Sequence, residues 1–124
     1  MRESKAMNIF LWVLQIVLGA AFIMAGIMKT TQPKEKLAGN MTWVNRRTAG
    51  TVKFIGAMEL LGGLGLILPW ATGIATILTP LAAVGLGLVM VLAIGDHVRA
   101  KEYNVIGFNV ILGAIAVVIA VGRF

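Results

Sequence analysis

The sequence predicts an all-α protein, an integral membrane four-helix bundle, and three observations carry that prediction. Hydrophobic residues make up 59% of the chain and charged residues only 13%, roughly half the charge of a soluble domain. Uncharged runs at residues 6–28, 60–95 and 103–122 each reach the roughly 20 residues that cross about 30 Å of hydrocarbon. The middle run is long enough for two crossings and is interrupted by Pro69-Trp70-Ala71-Thr72-Gly73. The chain of 124 residues is therefore expected to be a single transmembrane domain over 1–124, with spans near 7–29, 52–68, 74–96 and 103–121.

The first span follows Met1-Arg2-Glu3-Ser4-Lys5, a start that resembles the charged head of a signal peptide. Its apolar run exceeds the roughly 7–15 residues of a signal core and no convincing cleavage site follows, so it is expected to be an uncleaved span. Gln32-Pro33 opens the next loop, because proline disfavours helix at the residue before it. Residues 34–51 mix charges with Leu37, Met41 and Val44. That pattern suggests an interfacial segment, with Trp43 at headgroup level. Asn40-Met41-Thr42 matches a glycosylation sequon, a weak signal alone. The second span is expected to end at Pro69, with a tight turn through Gly73 leading into the third as a close hairpin. Pro80 falls in the first two turns of the third span, where loss of a helical donor is expected to bend it. A short loop over 96–102 leads to the fourth span.

A net charge of +6 invites a nucleic-acid reading, but the basic residues flank the spans. That is the arrangement of topology signals and anionic-lipid contacts, so membrane lipids, not nucleic acid, are the expected partner. Lys29, Lys34, Lys36, Arg46, Arg47, Lys53, Arg99 and Lys101 belong to one side, and only Arg2, Lys5 and Arg123 to the other. The bias predicts both basic loops cytoplasmic and both termini outside. The chain has no cysteine and one histidine. Thiol redox chemistry, cysteine metal sites and a bis-histidine haem within one chain are excluded. Neither a metal site nor a catalytic residue set is read, and catalytic activity of the chain's own is not expected.

Glu59 is a lone carboxylate in the otherwise uncharged stretch 54–68. An ionisable group at membrane depth is costly, faces a partner or a cavity, and marks a candidate functional site. Steps of four and three along each span define the inner faces. On span 1 they give Asn8, Trp12, Gln15, Gly19, Phe22, Gly26 and Lys29, and on span 2 Val52, Gly56, Glu59, Gly63 and Leu66. Span 3 contributes Pro80, Ala83, Gly87, Met90, Ile94 and His97, and span 4 Ile106, Asn109, Gly113, Ala116 and Ala120. Small residues at this spacing let membrane helices approach closely. Glu59 and Asn109 each lie about six residues inside the basic face, roughly 9 Å deep at about 1.5 Å per residue, and Lys29 ends span 1 on that side. The depths predict a polar chamber formed by Lys29, Glu59, Asn109 and His97. His97 is read chiefly as a solvated loop residue. Two readings of Glu59 stay open: an ion pair with Lys29 that locks the bundle, or a ligand or proton site built around that pair.

Phe22-Ile23-Met24-Ala25-Gly26-Ile27-Met28-Lys29, Gln32-Pro33, Lys36-Leu37, Trp43, Phe54-Ile55-Gly56, Glu59-Leu60, Gly62, Pro69 and Leu78-Thr79-Pro80-Leu81-Ala82-Ala83 follow one another in an order and spacing that resemble the DoxX-like family of small four-helix membrane proteins. The family name comes from a subunit linked to archaeal terminal quinol oxidase and thiosulfate:quinone oxidoreductase. The resemblance implies the four-helix fold, a bacterial inner membrane location and a membrane redox or quinone context, with respiratory or oxidoreductase subunits as partners, or a homo-oligomer. It carries no catalytic motif.

The expected function is thus an accessory or ligand-binding membrane component, with a quinone or other lipophilic aromatic compound as ligand and no certain cofactor. A quinone needs an apolar slot with a few convergent polar groups at its carbonyls. Lys29 and Asn109 can donate to one, with Glu59 orienting Lys29. Two alternatives compete. Small proton-coupled multidrug exporters share the size and the lone membrane glutamate, but carry it in the first helix. A purely structural assembly factor would use Glu59 only as a pin.

Overall fold

The computed structural model describes residues 4–39 and 41–124, Thr42 by its backbone alone. Asn40, the acceptor of the sequon, and Arg2 of the charge count lie outside the described residues. Helix α1 (Lys5–Thr31) starts where the Ser4 hydroxyl accepts the Met7 N–H at 3.0 Å, and it stops at extended Gln32, ahead of Pro33. The segment expected at the interface folds into a short helix α2 (Lys34–Ala38) and a 3₁₀ turn (Thr42–Arg46). Helix α3 (Ala49–Thr72) is capped by the Thr48 hydroxyl. Helix α4 (Leu78–Arg99), a 3₁₀ turn (Tyr103–Val105) and helix α5 (Ile106–Arg123) complete the chain. Helices α1, α3 and α4, and α5 together with its leading 3₁₀ turn, are long and apolar enough to cross a membrane.

Two expectations about proline are corrected. Helix α3 does not end at Pro69 but runs through it to Thr72, where Gly73 closes it with φ 72°. Pro69 has no N–H to offer the carbonyl of Gly65, one turn back. The Thr79 hydroxyl of α4 donates to that carbonyl at 2.9 Å, and Gln15 Nε2 of α1 donates to the neighbouring Leu66 carbonyl at 2.7 Å. A neighbouring helix, through Thr79, thus supplies the missing donor, which is how a broken ladder is tolerated in lipid. The turn therefore shifts to residues 73–77 and α4 begins at Leu78 rather than 74. That shift makes Pro80 the third residue of α4. First-turn N–H groups have no intrahelical acceptor, so Pro80 removes nothing and has no cause to bend the helix.

Helix α1 packs most extensively on α3, and α4 on α5. The α1–α3 contact is backbone against backbone. A Cβ on Gly26 would lie 2.5 Å from the Gly56 carbonyl oxygen, and one on Gly63 would lie 2.8 Å from that of Gly19. Any side chain at either position would force the helices apart, and close packing is what holds helices together in lipid. In α3 the inner face is the one the spacing indicated, Val52, Gly56, Glu59, Gly63 and Leu66; elsewhere it differs in part, with Leu11 and Leu18 buried in α1, Leu86 rather than Gly87 in α4, and Ile119 in α5. The apolar core, including Leu18, Phe22, Leu66, Leu86, Met90 and Ile119, fills the middle and the end away from the basic loops. A second cluster of Leu37, Val44 and Val52, with Met28 against it, fastens α2 and the 3₁₀ turn onto α1 and α3 as a cap over the basic end. Large apolar side chains such as Val17, Met24, Leu61, Leu92 and Val117 are exposed on the outside of the bundle, where lipid meets them.

Candidate functional site

Between core and cap lies a cavity of about 1000 Å³, and Lys29, Glu59, His97 and Asn109 all line it. Lys29 sits in the last turn of α1, and its Nζ lies 2.5 Å from Glu59 Oε1. The two side chains are nearly enclosed, with residue exposures of 8% and 3%. Local sequence explains the approach. A Cβ at position 56 would come within 2.6 Å of Lys29 Cβ, so glycine one turn before Glu59 makes room for the lysine stem. The ammonium also lies 5.3 Å from the centre of the Trp43 ring, a cation–π distance. Trp43, expected at headgroup level, forms part of the cavity wall.

Asn109 projects from α5 into the same space at 9% exposure. Its Nδ2 is buried and meets no acceptor among the described residues. A buried amide donor without a partner costs about 1–3 kcal/mol. The remaining lining is mostly apolar, including Phe22, Phe54, Met58, Met90 and Leu112. Chemically, the cavity offers the unspent amide donor of Asn109 and the remaining N–H groups of Lys29, beside a neutral ion pair in a largely apolar lining. Such a space suits an uncharged molecule with an oxygen acceptor and an apolar body.

His97 is not the solvated loop residue its position suggested. Helix α4 continues to Arg99, and His97 is buried at 8% exposure. The ionised Glu102 carboxylate can only accept, so His97 Nδ1 carries the hydrogen of their 2.9 Å bond. Glu102 also receives Arg46 at 2.9 Å, while Arg46 and Arg47 bond the two oxygens of Asp96 at 2.6 and 2.8 Å. Glu102 and then Asp96 raise the Arg46 pKa above its ordinary value by accepting hydrogen bonds from its charged form. This cluster ties the 3₁₀ turn of the cap to the α4–α5 junction. The cap is thus held by apolar packing on the α1–α3 side and by partly exposed ion pairs on the other.

At the opposite end lies a polar cluster that the sequence reading did not assemble. Arg123, counted only as a topology charge, is 4% exposed. Its Nε donates to Gln15 Oε1 at 2.6 Å and its Nη1 to Asn8 Oδ1 at 3.0 Å, and its guanidinium lies 4.4 Å from the Trp70 ring centre. The signal was available. Asn8, Trp12 and Gln15 share the inner face of α1, at the level where the fourth span ends.

Fold and site together define a small polytopic membrane protein with a buried ion pair beside an apolar cavity at one face of the bilayer. The chain belongs to the DoxX-like family, whose sequence profile matches residues 13–119. No curated protein and no solved structure matches it.

Proposed function

We propose that this protein is a non-catalytic membrane component that binds a small lipophilic molecule, a quinone or related aromatic compound, in the cavity around Glu59. In this reading it serves a redox assembly of a bacterial inner membrane, alongside respiratory or oxidoreductase subunits or as a homo-oligomer. The observation that carries the reading is Asn109, which lines a largely apolar cavity and whose buried amide Nδ2 has no acceptor among the described residues. Its role is to bond one carbonyl of the ligand. The Lys29 ammonium, held by Glu59 and Trp43, retains further N–H donors for a second. Without cysteine or a haem-ligand pair in the sequence, electrons handled here travel on the bound molecule or on a partner.

The test is quinone binding by purified protein, wild type against Glu59→Gln and Asn109→Leu. Loss of the Asn109 bond, worth about 1.5 kcal/mol, predicts roughly tenfold weaker binding. An unchanged affinity in Glu59→Gln would remove Glu59 from the site. No quinone binding by the wild type would reject the quinone reading.

A second reading rests on the 2.5 Å Lys29–Glu59 pair itself: an assembly or scaffold protein in which the pair only pins α1 to α3. The exporter alternative is weaker, because its carboxylate must exchange protons with substrate and here Lys29 occupies it. Saturable uptake driven by a pH gradient in vesicles would reverse that ranking.

A further inference from the structure

A groove of about 370 Å³ runs along the outer seam of α3 and α4, and it shares Met58 and Val89 with the wall of the chamber. Small residues form the seam. Gly62 and Gly65 line it on α3, and Ala82 and Gly85 on α4. A Cβ at Gly62 would press on Leu86, 2.7 Å away, whereas at Gly85 it would meet nothing within 4 Å. The helices therefore touch at Gly62 and again at Gly65, where a Cβ would lie 2.9 Å from that of Ala82, and leave open space beside Gly85. Every residue that lines the groove is apolar or glycine. Leu61, Leu78 and Leu81 on its rim are exposed, on helices long enough to span the bilayer. The chamber is a different environment, with a neutral ion pair and the unspent donor of Asn109. Its aqueous side is covered by the cap, tied across by Arg46, Arg47, Asp96 and Glu102.

We infer that chamber and groove form one site for a single-chain amphiphile, with an uncharged, oxygen-bearing head at Asn109 and its apolar chain along α3 and α4. This deepens the ligand-binding reading above and rests on it. Three features fix the class. The unsatisfied atom is a donor, so the head presents an acceptor. Of the cations that line the chamber, Lys29 and Arg47 are each matched by a carboxylate and Arg99 is exposed at the basic end, so a charge added beside buried Asn109 would have no partner there and the head is neutral. From Val89 to Leu78 the groove extends about 16 Å at about 1.5 Å per residue, which is room for a medium-length chain. Such a molecule is already dissolved in the bilayer and loads sideways between α3 and α4, not through the capped end.

The test uses protein in nanodiscs and two quinones that differ only in a chain: a dimethoxybenzoquinone with a decyl substituent, and the same ring without it. Moving a chain from lipid to protein gains packing but no hydrophobic transfer, so the chain is expected to strengthen binding only about fivefold. Gly85→Phe fills the groove and is expected to abolish that advantage while leaving the affinity of the bare ring unchanged. Gly107→Phe is the control, because Gly107 is exposed, has open space around it and lines neither cavity. A chain advantage that survives Gly85→Phe overturns the inference. A second probe, a decyl amide with a diazirine on its chain, keeps the two readings apart. If neither quinone binds, the quinone reading falls, and cross-linking then decides the inference. Labelling concentrated on residues 58–65 and 78–89, and lost in both Gly85→Phe and Asn109→Leu, upholds it. Labelling spread equally over lipid-facing residues of α1 and α5, such as Ile16 and Val117, means that the groove holds ordinary lipid and overturns it.

Discussion

Replacing Glu59 by Gln removes the anion from the Lys29 pair with almost no change in shape, and replacing Lys29 by Met removes the cation. The structure sets the size of both effects. The partners lie 2.5 Å apart with exposures of 8% and 3%, so neither charge can turn to water when the other is lost. Stranding one member of a buried pair costs about 3–5 kcal/mol. Glu59→Gln should fall at the low end, about 3 kcal/mol, because the new amide oxygen still accepts from Lys29. Lys29→Met should cost about as much, through the orphaned carboxylate. The double variant strands neither charge, so it should cost about 1 kcal/mol, well below either single and far below their sum of about 6. Equilibrium unfolding in mixed micelles measures all three. A double-variant cost equal to the sum of the singles would refute the paired-charge account. So would single costs below about 0.5 kcal/mol.

Thr79→Val should cost about 1 kcal/mol, because its hydroxyl fills the carbonyl that Pro69 leaves open at Gly65; in a Pro69→Ala background, where position 69 regains an N–H, the same change should cost less. Gly26→Ala should abolish the folded bundle in the same unfolding assay, since its Cβ would meet the backbone of α3 at 2.5 Å, while Gly85→Ala should stay within about 0.5 kcal/mol of wild type. Asp96→Asn should loosen the cap, because Asp96 anchors both Arg46 and Arg47. These ion pairs are partly exposed and each worth under about 1 kcal/mol. Hydrogen exchange over residues 41–47 should therefore rise in the variant, and added salt should raise it in wild type; no change in either would mean that the ion cluster does not hold the cap.

The inner faces were legible because one helical period governs both packing and burial. In α3 the face read from Gly56, Glu59 and Gly63 coincides with the buried set. Matching depths across the spans was enough to bring Lys29, Glu59, Asn109 and His97 to one cavity wall. What could not be read were the places where tertiary contacts override local propensity. Pro69 reads as a helix end, yet Thr79 of the next helix donates to the Gly65 carbonyl that it leaves open and lets α3 continue. His97 reads as a loop residue because Asp96 and Arg99 surround it, but those charges are bonded across the cap or lie at the helix end, so α4 extends beneath them. Arg123 shows the opposite failure. A terminal charge read as a topology signal turns out to be enclosed by Gln15, Asn8 and Trp70, and the depth argument applied at that end would have gathered the same residues.

The most direct test of a ligand-binding chamber is native mass spectrometry of the protein released from its own membrane with lipid retained. Wild type is expected to carry one uncharged lipophilic adduct, and Asn109→Leu, folded but without the donor, is expected to lose it. A wild-type protein free of any such adduct, or an adduct equally retained by Asn109→Leu, would contradict the account.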